Sequence, residues 1–156
     1  MDVALLKARK YCAFTERTKL DVSKKLHDYG VPEADIPILI EKLEQEGFLN
    51  ETRFVSAFAS GKFRYNKWGR NRIINEMKRK GLPEELIHKG IAELSPEDYL
   101  NTLDKLLTKK WKQLQSKIIE DDYDSLSAAK QKLITYALQK GYEHDIIIQR
   151  MKRLIT

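Results

Sequence analysis

Cysteine occurs once in this 156-residue chain, at Cys12, which excludes an internal disulfide and fits a reducing compartment. Proline (four) and glycine (seven) are also scarce, so little interrupts a helix. No stretch approaches the roughly 18 apolar residues that a membrane span needs. The N-terminus, MDVALLKARKYCAF, lacks the long apolar core and small-residue cleavage site of a signal peptide. The expectation is therefore a soluble, cytoplasmic protein. The usual marks of catalysis are missing too. There is no Gly-rich phosphate loop, no GKS or GKT and no HExxH. His27, His88 and His144 share no metal-ligand spacing. Asp121 and Asp122 sit in a charged, polar stretch unsuited to acid catalysis, and Cys12 reads as a core residue. The chain is expected to be no enzyme and to need no cofactor or metal.

What is present is charge and helix-forming side chains. Charged residues make up 33% and hydrophobic residues 42%, and the net charge of +6 suggests an acidic partner. Leu, Ile, Lys and Glu dominate, and long unbranched side chains lose little rotamer freedom in helices. No segment alternates with period two, so strands are not expected.

Three glycines, Gly30, Gly81 and Gly141, align three copies of one pattern. Eight residues before them stand Val22, Ile73 and Leu133, and four before stand Leu26, Met77 and Ala137. Six after come Ile36, Ile87 and Ile147; ten after come Ile40, Ile91 and Met151; thirteen after come Leu43, Leu94 and Leu154. Every slot is apolar. The spacing before the glycine puts a stripe on a helix that ends there, and glycine is the residue a left-handed cap requires. The spacing after it continues a second amphipathic helix, with Pro32 and Pro83 placed for its first turn. A further helix precedes each pair: roughly Val3 to Phe14, Glu51 to Phe63, and a longer one from Pro96 to Ile118. Thr18 with Asp21, and Ser95 with Asp98, read as N-caps. Glu120 to Ser125 reads as an acidic loop. The reading is all-α: three tandem three-helix repeats over 1–49, 50–94 and 95–156, in an elongated, curved array.

Charge is segregated along the chain. Between Lys62 and Lys80 the bases Lys62, Arg64, Lys67, Arg70, Arg72, Lys78, Arg79 and Lys80 face a single acid, Glu76, whereas 33–51 is strongly acidic. Phe63, Tyr65 and Trp68 are interleaved with these bases. Such a stretch suits phosphate attraction with stacking, or docking to an acidic protein groove. In a blander reading, Phe63 and Trp68 close the repeat core while the charges solvate a surface. A smaller cluster, Lys105, Lys109, Lys110, Lys112 and Lys117, fits the polar face of the long helix. Base-reading side chains are not gathered on one helix face, which argues against sequence-specific DNA readout.

The segments TKLDVSKKLHDYGVPEADI, LEQEGFLNETRFVSAFASGKF and KWGRNRIINEMKRKGLPEELI resemble the RecX regulatory proteins of bacteria over nearly the whole chain. The match is most specific in GFLNETRFVSAF, in the run from Trp68 to Ile73, and in the cap Arg79-Lys80-Gly81-Leu82. Asn50-Glu51 departs from the Asp-Asp more frequent there, and the third repeat matches most loosely. The resemblance implies a protein that binds RecA recombinase filaments on DNA and restrains ATP hydrolysis, strand exchange and coprotease activity, and the chain is expected to be a monomer. Contact with DNA would be direct or through the filament. The eight bases of 62–80 would face the partner, while Gly30, Gly69, Gly81 and Gly141 shape the turns. Arg53 and Phe54 would fix packing, Arg53 by pairing with Glu51 or Glu46. The alternative is a largely non-specific DNA-binding helical module, and a third possibility is a helical scaffold for another client.

Overall fold

The computed structural model describes residues 2–155, and among these the regular structure is nine α-helices and one short 3₁₀ turn, with no strand. The helices are α1 (Asp2–Phe14), α2 (Lys19–Asp28), α3 (Ile36–Gln45), α4 (Glu51–Asn66), α5 (Arg70–Arg79), α6 (Glu84–Ala92), α7 (Pro96–Gln115), α8 (Tyr123–Lys140) and α9 (His144–Ile155). Taken in threes they repeat one plan, helix, helix, glycine turn, helix, so the fold is the all-α, three-helix-repeat class that the slot spacing implies.

The glycine turns are three copies of one cap. Gly30, Gly81 and Gly141 have φ of +83°, +78° and +103°. In each, the glycine amide donates three residues back: Gly30 to His27, Gly81 to Lys78 and Gly141 to Leu138. The next residue donates five back: Val31 to Leu26, Leu82 to Met77 and Tyr142 to Ala137. This is the Schellman arrangement, which satisfies the last carbonyls of the helix and turns the chain. Of the aligned apolar slots all are buried except Ile40, Ile91 and Leu154, which are half-buried. Each buried aliphatic side chain contributes roughly 1.5–3 kcal/mol relative to exposure, so the stripe holds each repeat together.

Helix starts follow the expected chemistry with some shifts. Thr18 and Asp21 form a complete capping box on α2, and the Ser95 hydroxyl accepts from the Asp98 amide at 3.2 Å. Asn50 caps α4 by accepting from the Arg53 amide at 3.0 Å. The prolines sit one step earlier than expected. Pro83 is the residue before α6, and Pro32 precedes a 3₁₀ turn, Glu33–Asp35, that leads into α3. Their extended ψ of about 142–144° keeps them outside the helix. Helix α4 runs on to Asn66, past Phe63, and α7 stops at Gln115, short of Ile118. Only the start of the acidic stretch is loop: Asp122 accepts from the Asp124 amide and caps α8, so Tyr123, Asp124 and Ser125 are helical.

The chain divides into two compact units, the residues up to Ser60 with Glu76–Glu93, and Gly61–Asn75 with the residues from Leu94 onward. In the first, α1, α2 and α3 close over Leu5, Ala8, Val22, Leu26, Leu39 and Leu43. Cys12 lies in that core, as its place on α1 suggests, and burial raises its thiol pKa. In the second, α7, α8 and α9 enclose Leu103, Leu107, Trp111, Leu133, Tyr142 and Ile147, with Phe63 packed against them.

Candidate partner-binding segment

The basic stretch occupies the end of α4, a three-residue turn, α5 and Lys80 just beyond it. Helix α5 begins without an acid in its first turn and with Arg70 and Arg72 instead, which the positive end of a helix disfavours. The compensation comes from the end of α8. The Gly69 amide donates to the Lys140 carbonyl at 2.8 Å, and the Asn71 amide to the Gly141 carbonyl at 2.9 Å. The N-terminal amides of α5 thus meet the C-terminal carbonyls of α8, so opposite helix ends face each other.

Gly69 stands where the first repeat has the capping residue Thr18, twelve positions before the repeat glycine. A Cβ there would lie 2.4 Å from the Gly141 carbonyl carbon and the Tyr142 nitrogen, so only glycine permits the approach. Lys67 supplies the other unusual backbone, φ +60°, held by the Tyr142 hydroxyl donating to its carbonyl at 3.0 Å.

The structure sorts the eight bases. Lys62 and Arg72 come together on Trp68, with the ammonium 4.9 Å and the guanidinium carbon 4.3 Å from the ring centroid. Arg72 also donates to the Gln139 carbonyl near the end of α8. Lys67 turns its ammonium to the Arg64 carbonyl. Arg70 is drawn inward. Its guanidinium pairs with Glu143 at 2.8 Å and lies 3.9 Å from the Tyr99 ring centroid, and its amide donates to the Tyr99 hydroxyl. That hydroxyl in turn donates to Glu143. Burial, followed by the bond to Glu143, raises the Tyr99 pKa; burial does the same for Tyr142. Lys78, Arg79 and Lys80 belong to the other compact unit, where Arg79 pairs with Glu76 and Lys80 lies over Phe58.

Phe63 does join the core, stacked on Tyr99 at 5.8 Å, while half-buried Trp68 carries cations. Arg53 corrects the expected pairing: it binds Glu16, not Glu51 or Glu46. Glu51 instead accepts from the Lys19 amide, and Glu46 pairs with Arg9. Phe54 is buried and stacks on Phe58.

Sequence reasoning missed Tyr99, Tyr142 and Glu143 as the seat of the turn. A signal existed. After the repeat glycine the first two copies read Val31-Pro32 and Leu82-Pro83, whereas the third reads Tyr142-Glu143. The exchange of an aliphatic and a proline for two hydrogen-bonding side chains marks the place that receives Lys67 and Arg70.

No helix among the described residues is long and apolar enough to cross a membrane, and no group of His, Cys, Asp or Glu among them is placed to hold a metal.

Comparison with known proteins agrees with this architecture. Residues 50–91 match the family model of the second three-helix domain of RecX, and residues 97–149 that of the third. A regulatory protein RecX of Clostridium perfringens is 31% identical over 140 residues, covering 90% of this chain and 63% of that protein. One from Enterococcus faecalis is 25% identical over 94% of this chain and 52% of its own length. The chain thus spans between 52% and 63% of these two relatives. In fold, the crystal structure of RecX from Lactobacillus salivarius superposes with a TM-score of 0.85 at 19% identity, covering 98% of this chain and 95% of the other. With two successive RecX domains recognised in it and a RecX relative aligned over 90% of its length, the chain belongs to the RecX family.

Proposed function

We propose that this protein is a non-enzymatic regulator that binds RecA filaments on DNA and restrains their ATP hydrolysis, strand exchange and coprotease activity. The observation that carries the reading is the α4–α5 turn. Lys62 and Arg72 are held on Trp68, on a backbone fixed by Gly69, Asn71 and Lys67. Cations fixed in advance lose little side-chain freedom on binding an acidic surface. The family's regulatory role and the net charge of +6 support the same direction.

Within this proposal Lys62, Arg64, Lys67 and Arg72 meet the partner, with Lys78, Arg79 and Lys80 as further contacts. Arg70 acts from behind, by holding the turn through Tyr99 and Glu143. One molecule engaged with successive protomers would resist the conformational cycling that hydrolysis requires. The relatives are named regulatory proteins rather than enzymes, in keeping with a binding role. Direct DNA binding through this turn is less well served. The Gly69 and Asn71 amides are already bonded to α8 carbonyls and the Arg70 amide to Tyr99, so the helix terminus offers no phosphate cradle.

The test is DNA-dependent ATP hydrolysis by the cognate RecA, titrated with this protein at sub-stoichiometric ratios and two salt concentrations. Inhibition well below one molecule per recombinase supports the filament reading, and a Lys62→Glu/Arg72→Glu variant should lose it. Absence of inhibition by the native chain, with salt-sensitive binding to bare DNA, would overturn it.

A further inference from the structure

Helix α1 is apolar on two sides, and only one of them is covered. Ala4, Leu5, Ala8 and Cys12 are buried in the first-repeat core. On the other side Val3, Leu6, Ala13 and Phe14 are exposed, with Lys10 among them. Steps of three and four residues from Val3 to Leu6, Lys10 and Ala13, with Phe14 next to it, keep all five on one stripe of the helix. A helix apolar all round belongs inside a protein, so this outer stripe lacks its cover. Val3, Leu6 and Phe14 expose 67%, 53% and 86% of their surface. Lys10 and the adjacent Lys7 form no ion pair among the described residues.

A second uncovered set lies at the turn between α7 and α8. Ile119 and Tyr123 expose 64% and 79% of their surface, and Tyr123 is second only to Phe14 among the exposed large apolar side chains described. Around them stand Glu120, Asp121, Asp122 and Asp124, with no base between Ile119 and Ser125. None of these acids forms an ion pair among the described residues. The turn is nonetheless fixed. Asp122 caps α8, and the Ile119 amide donates to the Ser125 hydroxyl at 3.0 Å.

We infer that α1 of one molecule docks on the α7–α8 turn of a second copy of this chain, in a head-to-tail contact. Val3, Leu6 and Phe14 pack on Ile119 and Tyr123, while Lys7 and Lys10 meet the acids of the turn. Neither face suits itself, since two α1 stripes oppose lysine to lysine and two turns oppose acid to acid. An anionic lipid surface would attract Lys7 and Lys10, but it would repel the turn and leave Ile119 and Tyr123 bare. The contact joins unlike surfaces, so copies add in series. Each face offers far fewer than the roughly 20–30 residues a side of a standard interface, so association is weak and the dilute chain is a monomer. Copies held side by side on one partner meet at a raised local concentration, where a weak contact becomes effective.

The experiment is sedimentation equilibrium of this chain alone, from about 10 μM to about 1 mM, at low and high salt. Native protein should self-associate, and less so at high salt. Phe14→Ala and Tyr123→Ala should each weaken association by about tenfold, with unchanged helicity because both rings are exposed. A pair of charge reversals gives the sharper reading. Lys7→Glu/Lys10→Glu and Glu120→Lys/Asp121→Lys should each be monomeric alone. Their equimolar mixture should associate, because each variant supplies the face that the other has lost. A symmetric α1 contact predicts instead that the Glu120→Lys/Asp121→Lys variant associates by itself. That outcome, or a mixture that stays monomeric, would overturn the inference. So would a native chain that is monomeric at every concentration and sediments only with phosphatidylglycerol vesicles, which assigns the α1 stripe to lipid. With no recombinase present, a negative result here leaves the filament reading standing.

Discussion

Gly69 and Gly141 meet backbone to backbone, with no side chain between them. A Cβ on Gly69 would lie 2.4 Å from the Gly141 carbonyl carbon, and one on Gly141 would lie 2.4 Å from the Arg72 Cβ. The approach lets the start of α5 donate into the end of α8. It explains why a basic helix start is tolerated in the second repeat, where the first uses Thr18 and Asp21.

Alanine at these glycines should therefore grade by context. Gly30→Ala meets nothing within 4 Å and should cost about 1–2 kcal/mol from its left-handed φ alone. Gly69→Ala has no such φ but must push backbone apart, which should cost about 1–3 kcal/mol. Gly141→Ala combines both penalties and should be the most damaging of the three. Urea midpoints rank them; a Gly141→Ala chain as stable as Gly30→Ala would refute the close packing.

Arg70 and Arg72 are two residues apart in sequence and should separate cleanly by mutation. Arg70 is about one-quarter exposed and bonded to Glu143, so Arg70→Ala should lose about 1.5–3 kcal/mol of stability. Arg72→Ala removes an exposed cation–ring contact and a bond to the Gln139 carbonyl, and should cost no more than about 1 kcal/mol, yet weaken filament inhibition. A double-mutant cycle between Arg70 and Glu143 should show coupling, and none between Arg72 and Glu143. Equal stability losses for the two arginines would contradict this division.

Alkaline pH should destabilise the fold through its buried phenols. Tyr99 and Tyr142 have pKa values raised above the ordinary 10.0, first by burial. An unfolded tyrosine releases its proton near that value while the folded one keeps it, so the unfolded state binds fewer protons above it. Stability is then fully present below about pH 10 and falls as pH rises through and beyond that value. Urea unfolding between about pH 8 and pH 11 checks the sign, and Tyr142→Phe should flatten the decline.

Cys12 should be inert in the native state. It is buried in the α1–α3 core and its thiol pKa is raised by burial, which lowers the thiolate fraction. Reaction with an aromatic disulfide reagent should be slow for the folded chain and rapid in denaturant. Fast labelling of the folded protein would show that α1 detaches readily.

The sequence by itself determined the helical class, the three repeats and their caps, because these rest on local physics. Leu26, Met77 and Ala137 recur four residues before a glycine, and a helix stripe and a left-handed cap follow from that spacing without knowledge of the rest of the chain. It also located the cations, since charge is read directly from residue types. It did not determine which cations face outward. Arg70 and Arg72 are the same residue type in one helix turn, and only the arrival of Tyr99 and Glu143 from the third repeat withdraws one of them. Arg53 chose Glu16, 37 residues away, over nearer acids for the same reason. Pairings between distant segments depend on which faces the helices bury, and α-helical periodicity fixes each face without naming its neighbour. Tertiary structure alone decided those pairings.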